Sequence, residues 1–482
     1  MKQSTLLSGR QTAVDLGYET RAATQPRRGT AFKALAVACV LFAGAAASAH
    51  AQSQASVSGQ VSAYSGVFFE AAVAPASGSA GDYFQPSVSL KLSPSYSSGP
   101  LTIKSDFTTS VSLAETGYTA NIQLGEAYAS FDAADGLNIT AGSKVISWGT
   151  ALIANPEGYI NPVDSLSQLV AENRSDWLLP VPLVSGKLIR GPFSFEAVAL
   201  PWFRPSTLPS KGSRWYPAAL AALDAKDGYS VPASLPSYPG VKFSVDTVPA
   251  DVPLNVANMQ GAGRAGFSLG AVDFGLSGWY GFTKNPVIDV TTTLGVPVKV
   301  DISASYKRQG AVGMDMSATV LDSSVVWLES AIFLPEYYVG AESSGLPVSI
   351  DKNTLKSAFG VDRTIGIGNA GDIYLAVEGN LAWIADYDAR LSSSVKETGL
   401  GGTLVTEFRT PAQDFTLRAV VMEPDFFTLD STGQYLIRLS INYKPVDSCT
   451  LSAGTTLFEG TSGAIGQYAH NNFAYVSVTT SF

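Results

Sequence analysis

The feature that most constrains this chain is an alternation of apolar and polar residues that recurs in segments of about ten residues along its length. In residues 434–444 only Leu436 interrupts the polar face. The apolar face of that segment carries Tyr435, Ile437, Leu439, Ile441 and Tyr443. The same pattern occurs in 101–107, 373–381, 400–409, 415–421 and the last ten residues. A period of two is typical of a β-strand with two different faces, so the chain is predicted to be all-β.

Alternation alone fits both a soluble β-sandwich and a membrane barrel. The segments are near the roughly 9–11 residues that a tilted membrane strand needs, and no apolar run after residue 52 is long enough for a membrane helix. Aromatic residues such as Phe408 and Trp383 stand toward segment ends, which is typical of interfacial girdles. Together these observations predict a transmembrane antiparallel β-barrel of about 16–18 strands.

Residues 1–51 have the pattern of a secretory signal peptide with a polar N-terminal extension. An apolar run, 34–47, follows basic residues and precedes an A-x-A cleavage site at 49–51. The mature chain is therefore predicted to be a single barrel spanning 52–482. Removing the leader deletes six Lys/Arg and two Asp/Glu, which takes the formal charge from −9 to −13. Such an acidic exported chain is a poor partner for nucleic acid.

Few residues are suited to catalysis or metal binding. The predicted mature chain keeps one histidine, His470, and one cysteine, Cys449. A nucleophilic hydrolase needs a base beside its nucleophile, and a zinc site needs several nitrogen or sulfur ligands. The G-x-G-x-x-G segment at 366–371 joins two predicted strands, whereas a dinucleotide site needs a helix after it. We therefore expect no enzyme activity, no cofactor and no metal.

The final strand ends on an aromatic residue, with Val476, Val478 and Phe482 on one face. This end resembles the C-terminal signal of bacterial outer-membrane proteins, although Thr480 stands where an aromatic residue is more usual. The resemblance implies that the barrel-assembly machinery recognises this strand and that the surrounding partner is outer-membrane lipid. Pairing of the last strand with the first would remove an open sheet edge, which lipid cannot satisfy.

A second resemblance covers about 75 residues, from "KVISWGTALIANPEGYINPVDSL" through "WLLPVPLVSGKL" to "FSFEAVALPWFRPSTLP". This segment is similar to one shared by an uncharacterised family of Gram-negative outer-membrane barrels. The matching motifs are Trp-Gly, Asn-Pro-Val-Asp, Leu-Pro-x-Pro and a later Trp near Arg-Pro. The residues that match are Trp148, Gly149, Asn161, Pro162, Val163, Asp164, Pro180, Pro182, Trp202, Arg204 and Pro205. The resemblance implies architecture and cell outer membrane location, and it implies nothing about the solute.

The longest interruptions of the strand pattern are predicted to be extracellular loops, at 149–180, 204–258, 384–397 and 459–467. Between 284 and 353 the predicted strands are one too many or one too few for an even number. Loops this long are usually functional or disordered, and 204–258 carries Trp215 and other aromatic residues. We therefore expect 204–258 to fold into or over the pore, and 149–180 could do the same.

Charged residues in phase with the polar faces are candidates for the pore lining. They are Lys104, Asp106, Glu378, Glu407, Arg418 and Arg438. Such charges either set a transverse field with a charge preference or pair with one another inside a wet interior. The function that we expect is porin-like passive passage of small solutes, hydrophobic ones included, through a lumen narrowed by an inward-folded loop. The alternative is a surface-exposed barrel whose loops bind a partner or host without open conductance. The sequence carries no signal for the oligomeric state.

Overall fold

Eighteen strands form one barrel in the computed structural model, which confirms the predicted fold class. The structure describes residues 53–70, 83–114, 117–171, 174–231, 240–321, 323–343, 346–391, 395–423, 433–461 and 463–482. The predicted leader, 1–51, lies outside these residues. The barrel strands are β1 (Ser53–Phe68), β2 (Phe84–Ser98), β3 (Leu101–Ala114), β4 (Gly117–Ala134), β5 (Leu137–Lys144), β6 (Val181–Arg190), β7 (Phe193–Leu200), β10 (Gln260–Leu269), β11 (Val272–Phe282), β14 (Arg308–Val320), β15 (Ser324–Ala341), β16 (Pro347–Gly366), β17 (Asp372–Ile384), β18 (Thr398–Arg409), β19 (Phe415–Glu423), β20 (Tyr435–Val446), β21 (Cys449–Glu459) and β22 (Phe473–Ser481).

The first and last strands pair and close the barrel. β1 and β22 are antiparallel from Gln60 opposite Ser481 to Phe68 opposite Phe473. Beyond that pairing, Phe482 and Gly59 exchange two backbone hydrogen bonds of 3.0 and 2.8 Å. A side chain at Gly59 would meet the Phe482 ring, since a Cβ there would lie 2.2 Å from a ring carbon. Closure leaves no open sheet edge for lipid to meet.

The connections differ in length between the two ends of the barrel. At the end that carries the C-terminus the turns are two to five residues long, and the G-x-G-x-x-G segment is one of them. The opposite end carries the connections 145–180, 201–259 and 283–307, together with 385–397 and 460–472. Outer-membrane barrels have short periplasmic turns and longer extracellular loops, which assigns the long connections to the cell exterior.

A second, four-stranded sheet is formed by strands of the connections and is separate from the barrel sheet. It consists of β8 (Ser230–Val231), β9 (Val241–Asp246), β12 (Val287–Thr293) and β13 (Val298–Ser305), in the order β12-β13-β9-β8. β13 runs parallel to β9, and β12 and β13 form a hairpin. The strands predicted between 284 and 353 thus include a hairpin outside the barrel, while β7 pairs with β10 and β11 with β14 across the two insertions.

The two faces of each barrel strand have the predicted character. On β20, Leu439, Ile441 and Tyr443 point outward and are 43–44% exposed, whereas Arg438 and Ser440 are buried inside. Comparable outward residues on neighbouring strands are Leu276, Val312, Phe359, Val361, Val377, Leu404 and Leu417. A continuous apolar band around a closed barrel is what a hydrocarbon environment requires, and soluble monomers rarely expose one.

Helices are short and lie in the connections. They are α1 (Ser165–Val170), α2 (Ala218–Asp224) and α3 (Gly463–Gly466), with 3-10 turns at Arg174–Asp176, Val256–Asn258, Gly368–Ala370, Ala389–Leu391 and Ala469–Asn471. Within the described part of the chain, no helix is both long and apolar enough to cross a membrane.

Candidate functional site: the luminal loop and its cavities

The connection between β5 and β6, residues 145–180, turns into the barrel; we call it the luminal loop. Residues 172–173 within it are not among those described. Tyr159 and Ile160 of the loop are 3% and 2% exposed. They belong to a buried cluster built from inward-facing residues of five strands, among them Leu183, Val198, Trp279, Ala311 and Phe333. The loop therefore occupies part of the lumen, as the sequence allowed for 149–180.

Glu329 on β15 holds the first turn of the luminal loop. Its side chain is fully buried and faces the lumen in phase with Trp327. One carboxyl oxygen accepts the N–H groups of Thr150 and Ala151, both at 2.8 Å, and the other accepts the N–H of Glu157 at 2.7 Å. A buried carboxyl group needs such donors, because an unsatisfied buried polar group is costly.

Glu378 on β17 holds the next three residues in the same way. Its Oε1 accepts the N–H groups of Ile153 at 3.1 Å and Ala154 at 2.7 Å, and its Oε2 accepts the N–H of Leu152 at 2.5 Å. The indole Nε1 of Trp327 donates to the same Oε2 at 3.1 Å. The predicted pore charge at Glu378 is therefore engaged by the loop, and it is only 1% exposed.

Gly149 makes this arrangement possible. Its φ of +83° lies in the left-handed region, which favours glycine. A Cβ at this position would stand 2.2 Å from the Glu329 carboxyl oxygen. The Trp-Gly motif thus brings the backbone close to the wall, and the indole Nε1 of Trp148 donates to Glu196 of β7 at 3.0 Å.

The Asn-Pro-Val-Asp turn ties the two ends of the luminal loop together. The Asn161 side chain accepts from the N–H of Ile146 at 3.0 Å and donates to the carbonyl of Leu179 at 2.9 Å. Pro162 accepts the N–H of Leu179 at 2.8 Å. Asp164 caps α1 by accepting the N–H of Ser167 at 2.7 Å.

The remaining motif residues connect the loop to its neighbours. Arg204 donates to the carbonyl of Pro180 at 2.6 Å, and burial lowers the pKa of its guanidinium. Pro182 lies in β6 opposite Ser143 of β5. Trp202 is half exposed, and its contacts give no reason for its place in the motif. Membership of the resembling family remains a prediction, but most of its matching residues fix this one loop.

A second inward charge, three strands along the barrel wall from Glu378, also holds the loop. Arg438 on β20 donates to the carbonyls of Ala171 and Leu169, the latter at 2.8 Å. These carbonyls lie at the C-terminal end of α1, where cationic side chains are favoured. The loop is therefore fixed by the acidic side chains of Glu329 and Glu378 and by the basic side chain of Arg438, all on the consecutive strands β15–β20.

The connection 201–259 contributes an aromatic residue to the interior. Trp215 is 5% exposed and packs against Phe68, Phe458 and Phe473 with ring centroids 5.7–6.4 Å apart. Leu436, which breaks the polar face of its strand in the sequence, belongs to the same buried cluster. Later residues of this connection form β8, α2 and β9, so the segment only partly enters the barrel.

Two cavities remain beside the luminal loop. The larger has a volume of about 670 Å³ and is bounded by the loop, by β16–β20 and by the connection 460–472. The smaller, of about 600 Å³, lies between the loop and β2–β4, where Lys91, Asp106 and Glu126 line it. Arg174 and Leu178 line both cavities. These two residues therefore lie between the two cavities.

The larger cavity carries positive charge. Arg174, Lys284, Lys356 and Arg438 line it, and none of the described lining residues is Asp or Glu. Glu329 and Glu378 nevertheless lie close enough to Arg174 to act on its charge. Lys284, in the connection after β11, donates to Gln260 at 3.2 Å, and burial lowers its pKa to about 7. Lys284 can therefore change charge near neutrality.

The other predicted pore charges have different surroundings from Glu378 and Arg438. Asp106 pairs with Lys91 at 3.3 Å. Glu407 lies directly opposite Arg418, with 3.8 Å between Oε2 and Nε, and its other oxygen meets Arg409 at 2.5 Å. Lys104 is exposed and lies opposite Tyr128. The structure therefore brings Glu407 and Arg418 together on neighbouring strands.

Sequence reasoning missed Glu329, Arg174, Lys284 and Lys356. For Glu329 a signal was present, because "VVWLESAIF" places a carboxyl group in phase with Trp327, Ala331 and Phe333 in an otherwise apolar strand. The other three depend on contacts between segments far apart in the chain. Among described residues, no group of three His, Cys, Asp or Glu side chains could hold a metal ion.

The residues of the terminal strand lie on the outer face. Val476 and Val478 are 60% and 46% exposed, and Phe482 is 64% exposed. Recognition of these residues by the assembly machinery remains a prediction.

The fold is that of a transmembrane β-barrel of the bacterial outer membrane. It has a closed wall with an even number of antiparallel strands, an apolar outer band, a polar lumen and long connections at one end.

Comparison with solved structures finds similar folds at low identity. This chain is similar to OccK5 (OpdH) of Pseudomonas aeruginosa, with 10% identity and a TM-score of 0.45 over 89% of this chain and 97% of that one. It is also similar to the outer membrane channel DcaP of Acinetobacter baumannii, with 12% identity and a TM-score of 0.42 over 90% and 99% of the two chains. No family model and no curated protein matches the chain.

Proposed function

We propose that the protein is a porin-like channel for passive passage of small solutes across the outer membrane. The observation that carries the proposal is the pair of cavities, of about 670 and 600 Å³, that flank the luminal loop and share Arg174 and Leu178 in their linings. A barrel that served only as a scaffold would have no need for polar cavities inside a water-facing lumen. In this proposal solutes pass from one cavity to the other beside these two residues.

The luminal loop is the constriction in this proposal. Six of its backbone N–H groups donate to Glu329 and Glu378, so its position is fixed from the barrel wall. The sequence assigned the narrowing first to 204–258. The contacts favour 145–180 as the main element, with Trp215 of the later connection filling the lumen beside it.

Solutes with an apolar portion suit the lining. The larger cavity is bounded by Leu169, Val420, Met422 and Leu436 as well as by its charged residues. We propose outer-membrane lipid and the barrel-assembly machinery as the other partners, on the strength of the apolar outer band and the aromatic end of the terminal strand.

The alternative function has one observation in its favour. The four-stranded sheet outside the barrel exposes apolar residues at its hairpin, where Leu294 is 86% and Val296 is 82% exposed. Such residues are suited to a partner or host surface. In that case the loop and the aromatic cluster would plug the lumen.

Solute flux into liposomes distinguishes the two functions. Proteoliposomes containing the refolded mature protein are placed in isotonic solutions of small solutes, and swelling is followed by light scattering. The channel proposal expects swelling with solutes small enough for the cavities and none with a large polysaccharide. A correctly folded barrel that gives no swelling with any solute contradicts the channel and favours the surface-binding alternative.

A further inference from the structure

We propose that the turn that precedes β10, residues 253–259, inserts its apolar side chains among the acyl chains of the outer leaflet and anchors the exterior end of the barrel in lipid. Such an anchor depends on the membrane location of the barrel and not on whether the barrel conducts. It adds a lipid contact made by a connection, outside the wall, to the contact that the apolar band of the wall makes.

The turn lies against the outer face of the wall. Ala311 of β14 points into the lumen, where it packs in the cluster around the luminal loop. Arg308, three residues earlier in a regular stretch of the same strand, therefore points outward. Its guanidinium lies 4.0 Å from the centroid of the Phe282 ring and donates to the carbonyls of Ala257 and Met259, the latter at 3.1 Å. These contacts hold the turn outside the barrel, at its exterior end.

The exposed side chains of the turn are largely apolar and continue the apolar band. Leu254 is 72%, Val256 85% and Met259 41% exposed. Tyr280 of β11 is on the same outer face as Arg308, whose guanidinium lies 5.2 Å from the centroid of the Tyr280 ring. Outward aromatic residues of this kind border the apolar band of outer-membrane barrels. Lipid at this level would remove the apolar side chains from water, which is favourable in proportion to the area covered.

The backbone of the turn is suited to a medium without water. Carbonyl groups that accept a hydrogen bond within the protein are those of residues 253, 255, 256, 257 and 259. The backbone N–H of Asn258 donates to the carbonyl of Asn255 at 3.1 Å, and its side-chain amide donates to that of Pro253 at 2.8 Å. The N–H of Met259 donates to the carbonyl of Val256 at 3.2 Å. Lipid requires such internal pairing, whereas water would supply donors to an exposed turn.

Fluorescence quenching in vesicles tests the proposal. Val256→Cys is labelled with the fluorophore NBD in a Cys449→Ala background, and the mature protein is refolded into phosphatidylcholine vesicles. Lipid with a nitroxide on its acyl chain quenches from within the bilayer, and iodide on both sides of the membrane quenches from water. The references are Val312→Cys on the apolar band and Lys211→Cys on a connection, where the lysine side chain is 72% exposed.

We expect the label at 256 to be quenched by the nitroxide lipid as strongly as the label at 312. It should also be protected from iodide, with its emission shifted to the blue of the label at 211. Quenching by iodide to the extent seen at 211 would place the turn in water and overturn the proposal. Protection from both quenchers would place a second copy of the chain on the turn, which also overturns it.

Arg308→Gln tests how the turn is positioned. The variant loses the guanidinium that binds the carbonyls of Ala257 and Met259, so the label at 256 should lose most of its quenching by the nitroxide lipid. Arg190→Gln, at an exposed position at the other end of the barrel, is the matched control and should keep that quenching. Full quenching in a folded Arg308 variant would refute the role of this residue in holding the turn at the wall.

Discussion

Replacing Glu378 by glutamine tests how the luminal loop is held. The side chain keeps its size, so the barrel should fold as before, but one of the two carboxyl oxygens becomes an N–H₂ group. That group would face donors, either the N–H groups of Ile153 and Ala154 or the N–H of Leu152 and the Trp327 indole. The variant therefore loses the charge and at least one backbone hydrogen bond.

The magnitude follows from these contacts. Three loop N–H groups donate to Glu378, and a hydrogen bond to a charged acceptor contributes about 1.5–3 kcal/mol, compared with about 0.5–1.5 for a neutral one. Two neutral bonds in place of three charged ones lower the free energy of local opening by about 3–6 kcal/mol. Since about 1.4 kcal/mol is a factor of ten, opening becomes about 10²–10⁴-fold more frequent. Glu329 keeps its own contacts, so the effect should be local.

Amide hydrogen exchange measures this opening directly. We expect the amides of residues 152–154 to exchange about 10²–10⁴-fold faster in Glu378→Gln, while those of β17 and β18 stay protected. The control is Glu407→Gln, which makes the same change on the next strand at a residue that contacts arginines and not the loop. If the two variants exchange alike at 152–154, Glu378 does not hold the loop and the reasoning is refuted.

Three further predictions concern other parts of the same interior. Gly149→Ala places a Cβ against Glu329 at a left-handed φ, so the amide of Thr150 should exchange faster; wild-type protection there would contradict the close approach. Trp215→Ala removes a buried ring and should lower the free energy of unfolding by about 3–5 kcal/mol, measured by urea titration of the barrel in vesicles. A loss well below this range would show that the aromatic cluster is loosely packed. Because burial lowers the pKa of Lys284 to about 7, this side chain gains charge as the pH falls through that value, so the anion preference of the current should increase between about pH 8 and pH 6. Lys284→Met should remove that increase, and a variant that retains it would assign the pH dependence to another group.

The barrel could be predicted from the sequence because the pattern that defines each strand is local. Alternation with a period of two records which side of the wall each residue faces, and every strand repeats it. The residue that broke the pattern on β20, Leu436, belongs to a buried apolar cluster that includes Trp215 of a distant connection. Between 284 and 353 the strand pattern was misleading for a different reason, since β12 and β13 follow it but form a hairpin that joins β9 and not the barrel sheet. This hairpin contributes two strands and so does not explain the odd count that the sequence suggested.

The candidate site could be predicted only in part, because its contacts join residues that are far apart in the sequence. Glu378 could be placed on an inward face, but nothing near it in the sequence indicates that its partners are the backbone N–H groups of 152–154, more than 200 residues earlier. The family-like motif marked the right segment, and Gly149 and Asn161 act through geometry that only the folded chain shows. Arg174 and Lys284 lie in irregular connections, where periodicity gives no orientation.

Single-channel conductance in a planar bilayer tests the central claim most directly. The refolded mature protein is compared with a variant in which residues 150–176 are replaced by a short Gly-Ser linker, and with a control in which 218–250 of the outer connection are shortened instead. The account predicts steady channels for the wild-type protein, a larger conductance for the luminal-loop variant, and a conductance near the wild-type value for the control. A folded wild-type barrel that stays silent, or a luminal-loop variant that conducts no better than the wild type, would contradict it.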